Sequence, residues 1–461
     1  MESSAFIKFE FLGVVLFLTH PVLLTLITLL YVLARRSSRR NRVYLIDFVC
    51  YRPPDSLRVP IPSFIEHMQI HKNFQEDVGD FQRKVLERSG LGNETYLPPG
   101  LHMIPPKMSL ASTLSEMETV LFSTAADLFS KHDIKPECID ILICNCSLVA
   151  PVPSVASMVV NRFGLRADIK SFNLSGMGCS AGILSVNLAK NLLKVHPNST
   201  ALVLSMESVS SNMYLGDVKS MLLANCLFRM GGAAVLLSNR KQDEGRAKYE
   251  LRHVITTHLG HRDSSSFNCV MHEQDEQGLA GVSLSRAVPY VAGEALKTNM
   301  AVLAPLVLPY SELIFFGLSV VWNRIWPVAA SRKGGGGTRI PDFKKAFNHF
   351  CIHAGGKAVV EGIGDHLKLR DTDIEASKMT LQRFGNTSSS STWYAFSYLE
   401  AKGVVRNGAS VWQVALGSGF KCNSAMTLSI FSQPSSKFHK FVYITTFNFD
   451  VSIIIIVVMN A

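Results

Sequence analysis

The chain has 461 residues, of which 47% are apolar and 18% charged. That length and composition exclude a disordered chain and a small disulfide-stapled scaffold, and leave a folded protein with two domains' worth of core. The net charge of +10 at pH 7 suits an anionic membrane surface or acidic small ligands, but the basic residues are scattered without an aromatic ladder, so no nucleic-acid partner is expected. Nine cysteines, an odd set lacking short regular spacings, point to a reducing compartment. Cys144 and Cys146 have no second pair at zinc-ligand spacing, so they read as buried thiols and no metal is expected.

In chain order, the first element is FLGVVLFLTHPVLLTLITLLYVLA, residues 11–34, with 24 positions free of Asp, Glu, Lys and Arg. At helical rise it reaches about 36 Å, enough to cross a bilayer with tilt. Glu2, Glu10 and the lack of an A-x-A-like site set it apart from a cleaved leader, and His20-Pro21 leaves a bent or re-entrant course open. Five arginines in RRSSRRNR, residues 35–42, place the rest of the chain in the cytosol.

From about residue 108, helical periodicity alternates with short apolar runs. IDILIC (139–144), ALVLSME (201–207) and GAAVLLS (232–238) read as buried strands, with helices over 112–132 and 180–194 between them. A second series holds YELRHVITTH (249–258), a helix over 294–308, HFCIH (349–353) and VWQVALG (411–417). The pattern predicts an α/β protein of two halves of similar size. The apolar stretch 312–330 reads as a core helix, with an interfacial membrane helix as the alternative. A glycine-rich loop, SRKGGGGTR, follows it, and beyond about residue 425 the chain ends in an apolar, β-prone tail.

The chemistry centres on SFNLSGMGCSAGILSVNLAKNLLK, residues 171–194. A strand-like lead meets a turn permitted by Gly176 and Gly178, and from Cys179 onward Ala181, Leu184, Leu188 and Leu192 recur at helical spacing. A cysteine at a helix N-terminus is expected to have its thiol pKa lowered and to offer backbone N–H groups to an oxyanion. Two other readings remain: a structural thiol, and a dinucleotide turn in which Gly176, Gly178 and Gly182 cradle pyrophosphate and Glu207 holds a ribose. His353 falls where a strand ends, and Asn386 precedes a serine-rich helix start. A Cys, a neutral His and an Asn suit decarboxylative thioester chemistry, in which the thiol carries an acyl group and the other two donate hydrogen bonds to an enolate oxygen.

YLIDFVCYRPPDSLRVP, LERSGLGNETYLPP, GMGCSAG, HPNSTALVLSMES, NCLFRMGGAAVLLSN, GVSLSRAVPYVAGEALKTN, HFCIHAGG, RFGNTSSSS and GSGFKCNSA occur collinearly over roughly residues 44–425. In these segments the chain resembles the plant 3-ketoacyl-CoA synthases, the condensing enzymes of very-long-chain fatty acid elongation. The resemblance implies a thiolase-like fold of two similar α/β halves layered α-β-α-β-α behind an N-terminal membrane helix. The implied divisions are an anchor at 1–43, a nucleophile half at 44–245, a His and Asn half at 246–430 and an atypical tail at 431–461. It implies Cys179 as nucleophile, His353 and Asn386 as its partners, further catalytic places for His258, His349 and Gln382, and an oxyanion hole from the backbone of Cys179, Gly417, Ser418 and Gly419. Substrates would be a long-chain acyl-CoA and malonyl-CoA, with no cofactor. The setting would be the endoplasmic reticulum membrane with the catalytic part in the cytosol, beside a ketoacyl-CoA reductase, a hydroxyacyl-CoA dehydratase and an enoyl-CoA reductase, and as a homodimer.

The chain departs from the family pattern in three places. Gln382 stands where a histidine is usual four residues before the asparagine, one apolar N-terminal run appears rather than two, and MTLSIF replaces the usual continuation after CNSA. The alternative is therefore a catalytically impaired paralogue serving as a membrane-bound elongase subunit. A chalcone-synthase-like polyketide enzyme would share the triad but not the membrane anchor.

Overall fold

A computed structural model describes residues 42–70, 76–325 and 340–431. The apolar run at 11–34, its arginine flank, the glycine loop and the C-terminal tail beyond 431 lie outside the described residues. The described residues from Val43 onward belong to one compact unit.

Its centre is a nine-stranded sheet built from β1 (Val43–Cys50), β2 (Ile141–Asn145), β3 (Lys170–Leu174), β4 (Thr200–Met206), β5 (Gly232–Ser238), β6 (Tyr249–His258), β9 (His349–Ile352), β10 (Ser410–Gly417) and β11 (Lys421–Ser429); a separate hairpin pairs β7 (Val270–Gln274) with β8 (Ala280–Leu284). The strand order is β3-β2-β4-β5-β1-β6-β11-β10-β9. On one side β2 runs parallel to β4, then β5 and β1 alternate antiparallel. On the other β9 runs parallel to β10, then β11 and β6 alternate antiparallel. The same pattern therefore occurs twice, and three residue pairs between β1 and β6 join the halves.

The strand sequences explain the layering. Within β2, Ile141 and Ile143 belong to one core and Leu142 and Cys144 to another, as the two-residue period of a strand covered on both faces requires. The first core is shared by strands of both halves and by two central helices, α3 (Ala181–Val195) and α9 (Ser391–Ala401). Every position of α9 from Ser391 to Leu399 is buried, as its place between two sheet halves demands. On the outer faces lie α2 (Leu110–His132) against the first half and α5 (Val288–Val307) with α7 (Lys357–His366) against the second. This is the α-β-α-β-α layering expected. The MTLS of the atypical ending completes β11, pairing with β10 through Leu428.

The stretch after α5 differs from the expected core helix. Helix α6 (Tyr310–Ile325) buries only Glu312, and Ile314, Leu318 and Val321 are all more than half exposed. A uniformly apolar helix reads as core from sequence because periodicity cannot report what stands beside it. Among the described residues, no helix is long and apolar enough to cross a membrane.

Candidate active site

The ends of β2, β3, β4, β9 and β10 converge on one cavity of about 1060 Å³, whose wall includes Cys179, His353, Asn386, Glu207 and the backbone of Gly417, Ser418 and Gly419. A site at the carboxyl ends of strands is the usual consequence of α/β topology. Cys179 sits in a single 3-10 turn, Gly178–Ser180, that runs straight into α3. Gly176 and Gly178 have φ of 67° and 66°, the left-handed region, so the turn needs glycine there. Gly178 also lets the two halves meet, since a Cβ on it would stand 2.4 Å from the Ser418 nitrogen. Gly178→Ala is expected to lower stability by about 2–4 kcal/mol, read by urea unfolding, because strain and overpacking coincide.

The glycines do not form a nucleotide cradle. A Cβ on Gly182 would lie 2.2 Å from the Ser389 carbonyl oxygen, so that glycine serves close packing of protein on protein. Glu207 is equally committed: its carboxylate accepts from the backbone N–H groups of Ser147 and Leu148 and from the hydroxyl of Ser388. It braces the loops around the cysteine and does not reach for a ribose.

Cys179 is more basic than a helix N-terminus alone would make it. Burial pushes its thiol up to about 12, with hydrogen bonds from Ser388 and Asn386 opposing and the nearby Glu207 adding to the rise. The resting group is therefore a thiol, contrary to the depressed pKa expected from the helix dipole. Desolvation outweighs the dipole because the sulfur lines an apolar cavity.

His353 follows β9 directly and donates its backbone N–H to Val414. The residue is 4% exposed, and burial lowers its pKa to about 4. The imidazole is neutral at pH 7 and carries one proton. Its Nδ1 lies 2.5 Å from the Ser391 hydroxyl at the start of α9. A ring that presents Nε2–H to the cavity must leave Nδ1 bare, and the serine then donates to it. Gly355 keeps that edge open, since a Cβ there would meet Nε2 at 2.9 Å. Ser391→Ala is expected to lower kcat about tenfold with little change in KM, checked by steady-state kinetics, because one hydrogen bond of roughly 1 kcal/mol orients the ring.

The same burial has a consequence for stability. Between pH about 6.5 and 4 the unfolded chain binds a proton that folded His353 refuses, so stability falls on acidification through that window. The loss totals about 3 kcal/mol and is absent above pH 6.5. Denaturant midpoints measured across this range should fall less steeply in His353→Gln.

Asn386 is fixed from every side. Its backbone N–H donates to Leu227, its carbonyl accepts from Arg229, and its Oδ1 accepts from the Ser388 N–H at 2.9 Å. The last bond turns Nδ2 toward the cavity, where it reaches Cys179. The serines that follow divide the work: Ser388 bonds Glu207, Ser389 the Met206 carbonyl, Ser390 the Thr387 carbonyl and Ser391 the histidine.

Cys179, His353, Asn386 and the Gly417–Gly419 backbone are thus brought together. Three further expected residues lie outside the cavity wall. His258 stands behind the Gly419 loop, where its Nδ1 accepts from Gly260 and burial and Lys421 lower its pKa. His349 opens β9, half-buried, and Gln382 is exposed on α8 (Asp371–Phe384). Glu207, Ser388 and Ser391 went unread as supports; a run of four serines beside an apolar helix was the available signal.

Fold and site together define a thiolase-like condensing enzyme. Residues 35–325 match the family model FAE1/Type III polyketide synthase-like protein, and residues 344–428 match the 3-oxoacyl-[acyl-carrier-protein (ACP)] synthase III C terminal. The chain is 55% identical over 384 residues to 3-ketoacyl-CoA synthase 7 of Arabidopsis thaliana, covering 83% of this chain and 82% of that one. It is 51% identical to 3-ketoacyl-CoA synthase 4 of the same plant, covering 84% and 74%. In fold it resembles the C-terminal type III polyketide synthase domain of Steely1 from Dictyostelium, with a TM-score of 0.67, 15% identity and coverage of 85% and 100%. It likewise resembles 1,3,6,8-tetrahydroxynaphthalene synthase from Streptomyces coelicolor, with a TM-score of 0.62, 16% identity and coverage of 84% and 100%. The chain belongs to the 3-ketoacyl-CoA synthase family of condensing acyltransferases.

Proposed function

We propose that the chain elongates a long-chain acyl-CoA by two carbons, condensing it with malonyl-CoA to a 3-ketoacyl-CoA in the first step of very-long-chain fatty acid elongation. The observation that carries this reading is the convergence of one thiol, one neutral imidazole and one carboxamide on an apolar cavity. Phe81 and Val85 of α1 (Glu76–Ser89), Leu223 of α4 (Lys219–Leu227) and Met271 and Val282 of the β7–β8 hairpin line that cavity and suit an acyl chain. Lys84, Arg88, Arg286 and Lys357 are exposed on the same wall and suit the phosphates of coenzyme A.

In the first half-reaction the Cys179 sulfur attacks the acyl-CoA carbonyl; its proton leaves, and the coenzyme A thiolate takes one up as it departs. The Cys179 and Gly417–Gly419 backbone supports the transient oxyanion. Malonyl-CoA then loses carbon dioxide, and the electron pair of the broken C–C bond becomes an enolate whose oxygen accepts from His353 Nε2–H and Asn386 Nδ2–H. The enolate carbon attacks the acyl thioester and the cysteine leaves as thiolate, regaining a proton. Carbon dioxide release supplies the carbanion, so the chemistry asks for no metal or redox cofactor. Attachment to the endoplasmic reticulum through residues 11–34, a cytosolic catalytic unit, homodimerisation, and work beside the ketoacyl-CoA reductase, hydroxyacyl-CoA dehydratase and enoyl-CoA reductase belong to the same proposal. Gln382 stands exposed outside the cavity, which favours an active enzyme over an impaired subunit.

Microsomes expressing the chain alone, given labelled malonyl-CoA and acyl-CoAs of graded length, test the reading. Labelled 3-ketoacyl-CoA formed with no other condensing enzyme present is the expected result. Its absence, with elongation restored only beside a second synthase, would favour the subunit.

A further inference from the structure

Helix α6 exposes apolar side chains on more than one side. Successive helical positions turn by about 100°, so Ile314, Leu318 and Val321, exposed by 61%, 60% and 53%, lie on one side. Phe316 and Val320, exposed by 37% and 40%, lie on nearly the opposite side. On the preceding helix α5, Val302 and Leu306 are also about half exposed. The one carboxylate of α6 is turned away from this surface: Glu312 is buried, paired with the Lys345 ammonium and accepting from the Asp342 N–H. What remains is apolar around most of its circumference.

We infer that α6 lies in the interface of a lipid bilayer as a membrane contact separate from the 11–34 run. A rigid protein partner meets a helix along one side, whereas a fluid apolar medium covers every exposed side at once. Its 16 described residues span about 24 Å, short of the roughly 30 Å hydrocarbon core, which suits a helix lying along the bilayer. One side of a helix this short also falls well below the about 800 Å² per partner of a stable protein interface. Charge agrees with the assignment. Arg324 is exposed in the last turn, where it suits anionic headgroups beside an apolar face.

The test places a photo-crosslinking side chain at Leu318 of the full-length chain, reconstituted in vesicles of phosphatidylcholine and phosphatidylinositol. Mass spectrometry is expected to find a lipid adduct as the main product at Leu318 and little at Val195, which is 72% exposed on α3. A main adduct to a second copy of the chain, to a peptide within residues 11–34, or to water alone would overturn the inference. The same probe at Ile325, exposed by 58%, provides a second variant should the first fail to fold. Neither site touches the cavity, so the outcome is independent of whether the chain condenses acyl-CoAs.

Discussion

Cys179→Ala is expected to abolish condensation, lowering 3-ketoacyl-CoA formation by about 10³-fold or more. No other thiol can substitute: Cys179 is the one cysteine in the cavity wall, while Cys144, Cys146, Cys226, Cys269, Cys351 and Cys422 are buried away from it, Cys138 is exposed at the surface and Cys50 lies outside it. In the proposed mechanism the variant should still decarboxylate malonyl-CoA, because His353 and Asn386, which would hold the enolate, are left in place by alanine at 179. Labelled carbon dioxide release without condensation product is therefore the specific signature. Loss of both activities would mean that the turn had collapsed, and a thermal midpoint equal to wild type separates the cases. Alanine removes the sulfur without adding bulk beside the tightly packed Gly178, so that midpoint should be kept.

The second large effect is at Asn386. Asn386→Ala should lower both condensation and malonyl-CoA decarboxylation by about 10²–10³-fold, the usual result of deleting one preorganised donor to a developing oxyanion. In the proposed mechanism acylation of Cys179 should survive, because its oxyanion would rest on the backbone of Gly417–Gly419 and the cysteine turn. Asn386→Asp is the sharper substitution: it keeps the acceptor that Ser388 N–H engages and replaces the donor with a carboxylate oxygen facing the enolate. It is expected to be as damaging as alanine, which a purely structural role for the residue would not produce. Rapid-quench measurement of acylation and decarboxylation separately checks the split.

Several elements were legible because each is decided locally. YELRHVITTH became β6 residue for residue, and the helical run at 112–132 became α2, capped by Ser109, whose hydroxyl accepts from Ser112. The positions of Cys179, His353 and Asn386 at element ends followed from where periodicity breaks. What the sequence withheld depends on neighbours distant along the chain. Glu207 stood at a spacing that imitates a ribose ligand, yet its direction is set by Ser147 and Ser388, 60 residues before it and 181 after. The Cys179 pKa reflects a balance between a local dipole and a tertiary cavity, and only the first can be read from spacing. The exposure of α6 was hidden for the same reason, since an apolar helix has the same sequence in a core and in lipid. The β7–β8 hairpin that roofs the cavity was missed because VMHEQ and AGVSL carry only weak alternation.

The acyl-cysteine intermediate tests the central claim most directly. The full-length protein incubated with a long-chain acyl-CoA alone should acquire one acyl group, located by peptide mass spectrometry on Cys179. Malonyl-CoA added next should discharge it with formation of the 3-ketoacyl-CoA. An acyl group absent from Cys179, or one on Cys179 that malonyl-CoA leaves in place, would contradict the account.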